Sequence, residues 1–299
     1  MTRTARSASQ IHLLDLNGVT LGFRITLYTH FTIVNNLVQL SKLVKISGMD
    51  LWNPEQYKKF QAERARPFWD LAKKIDFAKV FSMLDVGCGT GELTKALHLA
   101  HDLPRTVGID SSANMLEEAD AAAQTTRGLA FHHADVESFK PAEKFDLVFS
   151  NAALQWVPEH EALFQLMRTW LKPGGQLAVQ MPFNHEHPSH RIAEKVAAQF
   201  GLKPREMPLL SAENYARLLW NAGMTGIDVS INVYLHPMPS ALDVVEWTKG
   251  TLLTYYQKRL NEIRFKEFVM EYSRALLKDT GEGSYLFTFK RLFIYARRD

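Results

Sequence analysis

From Asn53 onward the chain alternates short apolar runs with amphipathic stretches. "VFSMLDVG", "RTVGID", "LAFHHAD", "KFDLVFSN" and "GQLAVQM" read as strands, each bounded by turn-forming residues. Between them, "GELTKALHLAH", "SANMLEEADAAAQ" and "EALFQLMRTWL" carry apolar residues three and four apart, the helical period. Strands alternating with helices at this spacing build right-handed βαβ units and a parallel sheet. A first helix is expected over 53–77, interrupted near Pro67. After Met181 the pattern predicts helices over 189–200 and 211–222, a strand over 226–235, one long helical stretch over 239–278 and a last strand over 285–297. The expected fold is α/β: a doubly wound, mostly parallel, seven-stranded Rossmann-like sheet. A late helical insertion, mainly over 183–225 and 239–279, is expected to cover the ligand side at the carboxyl ends of the strands.

Residues 1–48 follow a different pattern. Asn17-Gly18 separates two β-prone runs, which signals a hairpin, because both residues tolerate the positive φ of a type I′ turn. The first ten residues hold Arg3, Arg6, Ser7 and Ser9 and no acid, as organellar presequences do. Met49 then precedes a helix start in which Asn53 caps, Pro54 takes the first position and Gln56 completes a capping box. Three readings stand: an extension upstream of a true start at Met49, a presequence, or a β appendage to a domain spanning 49–299.

Composition narrows the function. Lys and Arg total 35 against 32 for Asp and Glu, so a formal charge of +3 gives no broad basic face for nucleic acid. Cys88 is the single cysteine, which excludes an internal disulfide and any cysteine-based zinc cluster, and fits a reducing cytoplasm. The most apolar run, "ITLYTHFTIVNNLVQL", is broken by His30, Asn35 and Asn36 and is too short to span a membrane. A cytoplasmic monomer acting on a small molecule is the expectation.

The chemistry sits where the first strand ends, at Asp85-x-Gly87-x-Gly89-x-Gly91. Glycines there let the backbone approach a nucleotide-like ligand, and the helix start supplies free N–H groups. Dinucleotide enzymes favour Gly-x-Gly-x-x-Gly, but Glu92 stands where the last glycine would be. Asp110 ends the next strand, where a carboxylate can accept from both ribose hydroxyls, with Ser111 after it. Asp135 ends the third. Plainer readings remain: Asp110 as a cap for the helix starting at Ser111, Asp135 as a loop acid, and Cys88 as small filler.

The glycine motif, with "KFDLVFSNAALQWV" and "LKPGGQLAVQMP", resembles the class I S-adenosylmethionine-dependent methyltransferases. The resemblance implies S-adenosylmethionine as cofactor, held by Trp52, Tyr57, Asp85, Gly87, Gly89, Gly91, Asp110, Ser111, Asp135, Val136 and Asn151. Asp135 would face the adenine amino group, and Val136 would donate its N–H to the ring. "WNPEQYKKFQAERARP", "SNAALQWVPEH", "LAVQMPFN", "YLHPMPSALDVVEWTKGT" and "KRLFIYARR" further resemble the trans-aconitate methyltransferases, from Leu51 to the C terminus. That resemblance implies methylation of a tricarboxylic acid. "HEHPSH" departs from it in detail.

A carboxylate is already ionised at neutral pH, so no acid or base catalyst and no metal is expected. The pocket needs cations and donors. Arg64 shares a face of the first helix with Tyr57 and Phe60, and by resemblance points into the pocket. By the same resemblance Gln155 and Trp156 would hold the acceptor carboxylate, and His236 and Arg291 on the last two strands are further candidates. Against these stand a solvated Arg64 paired with Asp70 or Glu63, and a Trp156 buried in the core. His185, His187 and His190 lie in a polar loop before a helix that Ser189 is expected to cap. Rival functions are methylation of another acid, small or carrier-bound, a non-catalytic S-adenosylmethionine-binding module, and a nicotinamide dehydrogenase.

Overall fold

The structure, a computed structural model, describes residues 61–299. The readings for residues 1–48, the helix start at 53–56, Trp52 and Tyr57 lie outside the described residues. So does the side chain of Arg64, although its backbone falls on the first described helix.

Seven strands form one sheet. They are β1 (Ser82–Val86), β2 (Arg105–Asp110), β3 (Leu129–His133), β4 (Phe145–Asn151), β5 (Leu171–Pro182), β6 (Met224–Met238) and β7 (Tyr285–Arg298), in the order β3-β2-β1-β4-β5-β7-β6. The first five positions are parallel, and β7 runs antiparallel to both β5 and β6. This matches the doubly wound, mostly parallel architecture expected from the alternating pattern. Every residue of β1 is buried, as a central strand covered on both faces requires.

The two sheet faces carry separate cores. Leu84, Val86, Val148, Leu177 and Val179 pack on one face with Phe164, Met167 and Tyr215. Met83, Leu147, Phe149, Ala178 and Phe293 pack on the other against Phe68 and Leu71 of helix α1 (Gln61–Ala72). Helices α2 (Glu92–Ala100), α3 (Ala113–Gln124) and α4 (His160–Thr169) make the parallel crossovers. The strand order reverses beside β1, whose neighbours are β2 and β4. The cleft at their carboxyl ends is the topological switch point where such sheets bind ligands.

Several boundaries differ from the sequence expectation. Helix α1 ends at Ala72, not 77, and Pro67 lies inside it. Proline removes one helical hydrogen bond, and the carbonyl it strands belongs to Glu63, an exposed residue. The long helical stretch expected over 239–278 consists of three helices: α7 (Leu242–Lys249), α8 (Leu252–Gln257) and α9 (Glu262–Thr280). Gly250 closes α7, and the side chain of Asn261 restarts the chain as α9 by accepting the Arg264 N–H at 2.9 Å. Two more helices, α5 (Pro188–Gln199) and α6 (Ala212–Asn221), lie between β5 and β6. The cap of α5 is His187, whose Nδ1 accepts the Ser189 N–H at 3.1 Å, and not Ser189 itself. Pro188 at the first helical position shifts the start back by one residue.

Candidate active site

The glycine turn after β1 is closed by its own backbone. Gly87 and Cys88 both donate to the Ile109 carbonyl, at 2.8 and 3.1 Å, and Gly91 donates to the Cys88 carbonyl at 3.1 Å. All three glycines have positive φ, at 77°, 57° and 71° for Gly87, Gly89 and Gly91. A Cβ at Gly87 would lie 2.1 Å from that of Ala153, and one at Gly91 would lie 2.5 Å from Phe131. At Gly89 a Cβ would meet nothing within 4 Å. Packing therefore demands glycine at 87 and 91, while Gly89 borders open space.

Asp110 is held over that space. One carboxylate oxygen accepts the Gly89 N–H at 2.9 Å and the other the Ser112 N–H at 2.8 Å. Each oxygen keeps a second lone pair, so the positioned carboxylate can still accept two hydroxyls. The helix starts at Ala113 with Ser112 as its N-cap, not at Ser111, so Asp110 braces the residue before the helix and does not cap it, and it remains available to a ligand. Ser111 is exposed beside it, with its carbonyl 3.0 Å from His133 Nε2.

Asp85 lies beneath the turn. Only 3% exposed, it accepts the Thr94 hydroxyl at 2.6 Å and so ties β1 to the first turn of α2. Burial pushes its carboxyl up to about 7, against the Thr94 hydrogen bond and with help from the Asp110 charge. Burial, with the charges of Asp85 and Asp110, raises the Cys88 thiol, which stays neutral, and its sulfur fills space beside Gly108. Asp135 is exposed after β3, and one oxygen accepts the Glu137 N–H at 2.9 Å. Val136 packs partly into the core.

The far wall is built from unsatisfied amides. Asn151 ends β4 in register with Gln180 of β5, on the face that carries Phe149 and Ala178. The Asn151 Oδ1, the Gln155 Oε1 and both polar atoms of Gln180 are buried with no hydrogen-bond partner. Each such group costs about 1–3 kcal/mol unless a ligand or water satisfies it. Gln155 uses its Nε2 to hold the Ala152 carbonyl at 2.6 Å, and Ala152 itself has φ 54°. A non-glycine residue in that conformation carries strain of the kind that gathers at functional turns.

The acceptor candidates form two groups. Trp156 is 51% exposed, which excludes the core reading, and the Arg205 guanidinium lies 3.6 Å over its ring. On the last strands, Arg291 is buried to 8% exposure and stacks 4.5 Å over Phe289, in register with Pro182 at the end of β5. His236 packs 4.7 Å from Trp247. Burial holds its imidazole below the usual value, opposed by Glu63 and aided by Arg291 and Arg66. Asp70, a suggested partner for Arg64, takes Lys73 at 2.8 Å and the Tyr234 hydroxyl at 2.8 Å.

Comparison with known proteins decides the family. Residues 84–179 match a family model described as a methyltransferase domain. A trans-aconitate 2-methyltransferase of Klebsiella pneumoniae is 37% identical over 251 residues, covering 83% of this chain and 98% of the relative. One from Deinococcus radiodurans is 38% identical over 258 residues, with 83% and 98% covered. The chain belongs to the trans-aconitate 2-methyltransferase family.

More distant solved structures share this family member's fold. The YcgJ protein of Bacillus subtilis superposes with a TM-score of 0.52 at 16% identity, covering 77% of this chain and 98% of that one. Phosphoethanolamine N-methyltransferase 2 of Haemonchus contortus, solved with S-adenosyl-L-methionine, gives 0.51 at 19%, with 78% and 52% covered. Two residues of this trans-aconitate 2-methyltransferase family member escaped the sequence reading. Gln180 left a signal, as the one polar side chain in the run "LAVQM"; Arg205, in an irregular connection, left none. Among the described residues no group of three His, Cys, Asp or Glu is placed to hold a metal, and no helix is long and apolar enough to cross a membrane.

Proposed function

We propose that this protein transfers the methyl group of S-adenosylmethionine to one carboxylate of trans-aconitate, forming the monomethyl ester. The observation that carries this reading is the 37–38% identity to trans-aconitate 2-methyltransferases across 98% of their length.

The residues present fit the cofactor. Gly89 borders space that a Cβ would enter freely, Asp110 holds two oxygens ready for vicinal hydroxyls, and Asn151 and Gln155 offer buried acceptors that lack donors. A ligand with a ribose and an ammonium group satisfies all of these. Gly87, Gly89 and Gly91 would shape its bed, Asp110 and Ser111 would take the ribose, and Asp135 and Val136 the adenine. Asn151 would take the amino-acid end and Asp85 would brace the bed from below; by family resemblance Trp52 and Tyr57 would also contact the cofactor. When bound, S-adenosylmethionine supplies an electrophilic methyl on sulfur.

The protein's own task is alignment. An acceptor carboxylate ordinarily titrates near pH ~4, so it is ionised at neutral pH and needs no proton removed. Gln155 and Trp156 orient it, while Arg64 and Arg291 attract the remaining charge and His236 offers a ring N–H. Orientation alone supplies effective molarities of about 10⁵–10⁸ M, which suffices without an acid–base pair. The lone cysteine supports a cytoplasmic location, and the net charge of +3 supports a small-molecule rather than a nucleic-acid partner; the protein is read as a monomer.

The test is a specificity assay. Purified protein with S-adenosylmethionine is offered trans-aconitate, cis-aconitate, citrate and isocitrate, and the ester is identified by mass spectrometry. The reading predicts the highest kcat/KM for trans-aconitate. A clear preference for another acid overturns the substrate, and no turnover of any acid overturns the reaction.

A further inference from the structure

We infer that Arg205 is a substrate-binding residue, gripping a carboxylate of the acceptor acid that is not methylated. The inference rests on the carboxyl methyltransferase reading above.

Arg205 lies in the irregular connection between α5 and α6, and its guanidinium is stacked 3.6 Å over Trp156, beside the end of β4. A second ring, Tyr255 of α8, lies 5.8 Å away. A second cation at Tyr255 is Arg259, 3.6 Å from the ring and tied to the Tyr255 carbonyl through its Nη1 at 2.9 Å. Two arginines thus share one aromatic. Among the described residues no carboxylate pairs with either. Other cations of the chain do find acids, as Lys74 does with Asp228 and Lys249 with Glu246.

The stacking geometry explains what remains available. A guanidinium that rests its face on an indole keeps its N–H donors in its own plane, pointing past the ring edge. That planar fork matches a carboxylate's two oxygens. Burial and the Arg259 charge pull the Arg205 pKa down to about 10, against Tyr256 and Tyr255, so the group stays charged at neutral pH. A partly desolvated cation without a counterion is unfavourable and favours an incoming anion.

The location matches the need. Trp156 follows Gln155, whose Oε1 is one of the unsatisfied buried acceptors at the switch point. A tricarboxylate that offers one carboxylate to the methyl leaves two to be anchored. Arg205 takes one of them beside the end of β4, which leaves the other to the β6 and β7 group of His236 and Arg291.

Arg205→Leu and Arg205→Lys test the inference, with steady-state kinetics on trans-aconitate, calorimetric titration of S-adenosylhomocysteine and melting curves. Inhibition constants for citrate and for the monocarboxylate crotonate complete the set. Loss of a charged hydrogen-bond pair predicts a KM for trans-aconitate raised about 10- to 100-fold in Arg205→Leu. Arg205→Lys should fall between the two, because it keeps the charge and loses the fork. Citrate inhibition should weaken far more than crotonate inhibition, while S-adenosylhomocysteine affinity stays within about twofold. An unchanged KM in a variant that still melts cooperatively overturns the inference. So does an equal loss for citrate, crotonate and S-adenosylhomocysteine, which would make Arg205 a brace for Trp156. If the wild type binds the cofactor and methylates no trans-aconitate, the proposed function itself fails and takes this inference with it.

Discussion

Gly87 and Gly89 stand two residues apart and both have positive φ, yet alanine at each should report a different property. At Gly87 the new Cβ would lie 2.1 Å from Ala153, on the turn that leads to Gln155. Gly87→Ala should therefore cost more than about 3 kcal/mol of stability, as positive φ and overpacking combine. At Gly89 nothing lies within 4 Å, so only the strain of φ 57° applies, about 1–2 kcal/mol. Gly89→Ala should fold and lose at least about tenfold in S-adenosylhomocysteine affinity, because its methyl enters the ligand's space. Urea unfolding and calorimetry on both variants check this. The sequence showed three alternate glycines and a cofactor turn. It carried nothing to separate the two that pack from the one that borders open space, because Ala153 comes to the turn from beyond β4 and Phe131 from β3.

At the scale of the element, the start of α5 makes acid stability a specific expectation. His187 caps the helix through an Nδ1 that must be unprotonated to accept, and burial, then Lys290, holds it down to about 4. His190 is held down to about 3 by burial, with His187, His185 and Arg205 adding to it. Both have folded pKa values below the unfolded value of about 6.5, so the unfolded chain binds more protons between these limits. Stability is then complete above about pH 6.5 and falls as the pH drops toward 4, by up to about 1.4 kcal/mol per unit for each group. Asp85 has the opposite sign: its folded pKa, about 7, exceeds the unfolded 3.8, so its term favours the fold at low pH and fades as pH rises through 7. Two histidines outweigh one carboxyl, and net stability declines with acid. His190→Gln should flatten the decline of the urea midpoint between pH 6.5 and 4. An unchanged slope would show that His190 titrates normally. The helix itself was apparent from its apolar spacing. Its cap was not, since histidine is an unusual cap and Ser189 offered the commoner one.

Across the whole molecule, the parallel half of the sheet was readable because each strand is a short apolar run closed by a turn residue, a local feature. The break of the 239–278 stretch into three helices rests on local residues, Gly250 as a C-cap and Asn261 as an N-cap, which the apolar period alone does not register. Arg205 is different, because its meaning comes from Trp156, distant in sequence. A ligand bound across the ends of β1, β2 and β4 should stabilise the entire fold by mass action. At about 100 times Kd, S-adenosylhomocysteine contributes about 2.7 kcal/mol, which for a domain of this size raises Tm by roughly 5–10 °C. Asp110→Ala should abolish that shift, since Gly89 and Ser112 lose the carboxylate that anchors both. A variant that keeps the shift would place the ligand elsewhere.

The most direct measurement of the central claim follows the methyl itself. S-adenosylmethionine carrying a ¹³C methyl is mixed with the protein and trans-aconitate and watched by NMR. The account predicts that the sulfonium signal is replaced, one for one, by a methyl ester signal on aconitate. A label that stays on sulfur while the cofactor is bound, or that appears on any atom other than a carboxylate oxygen, would contradict it.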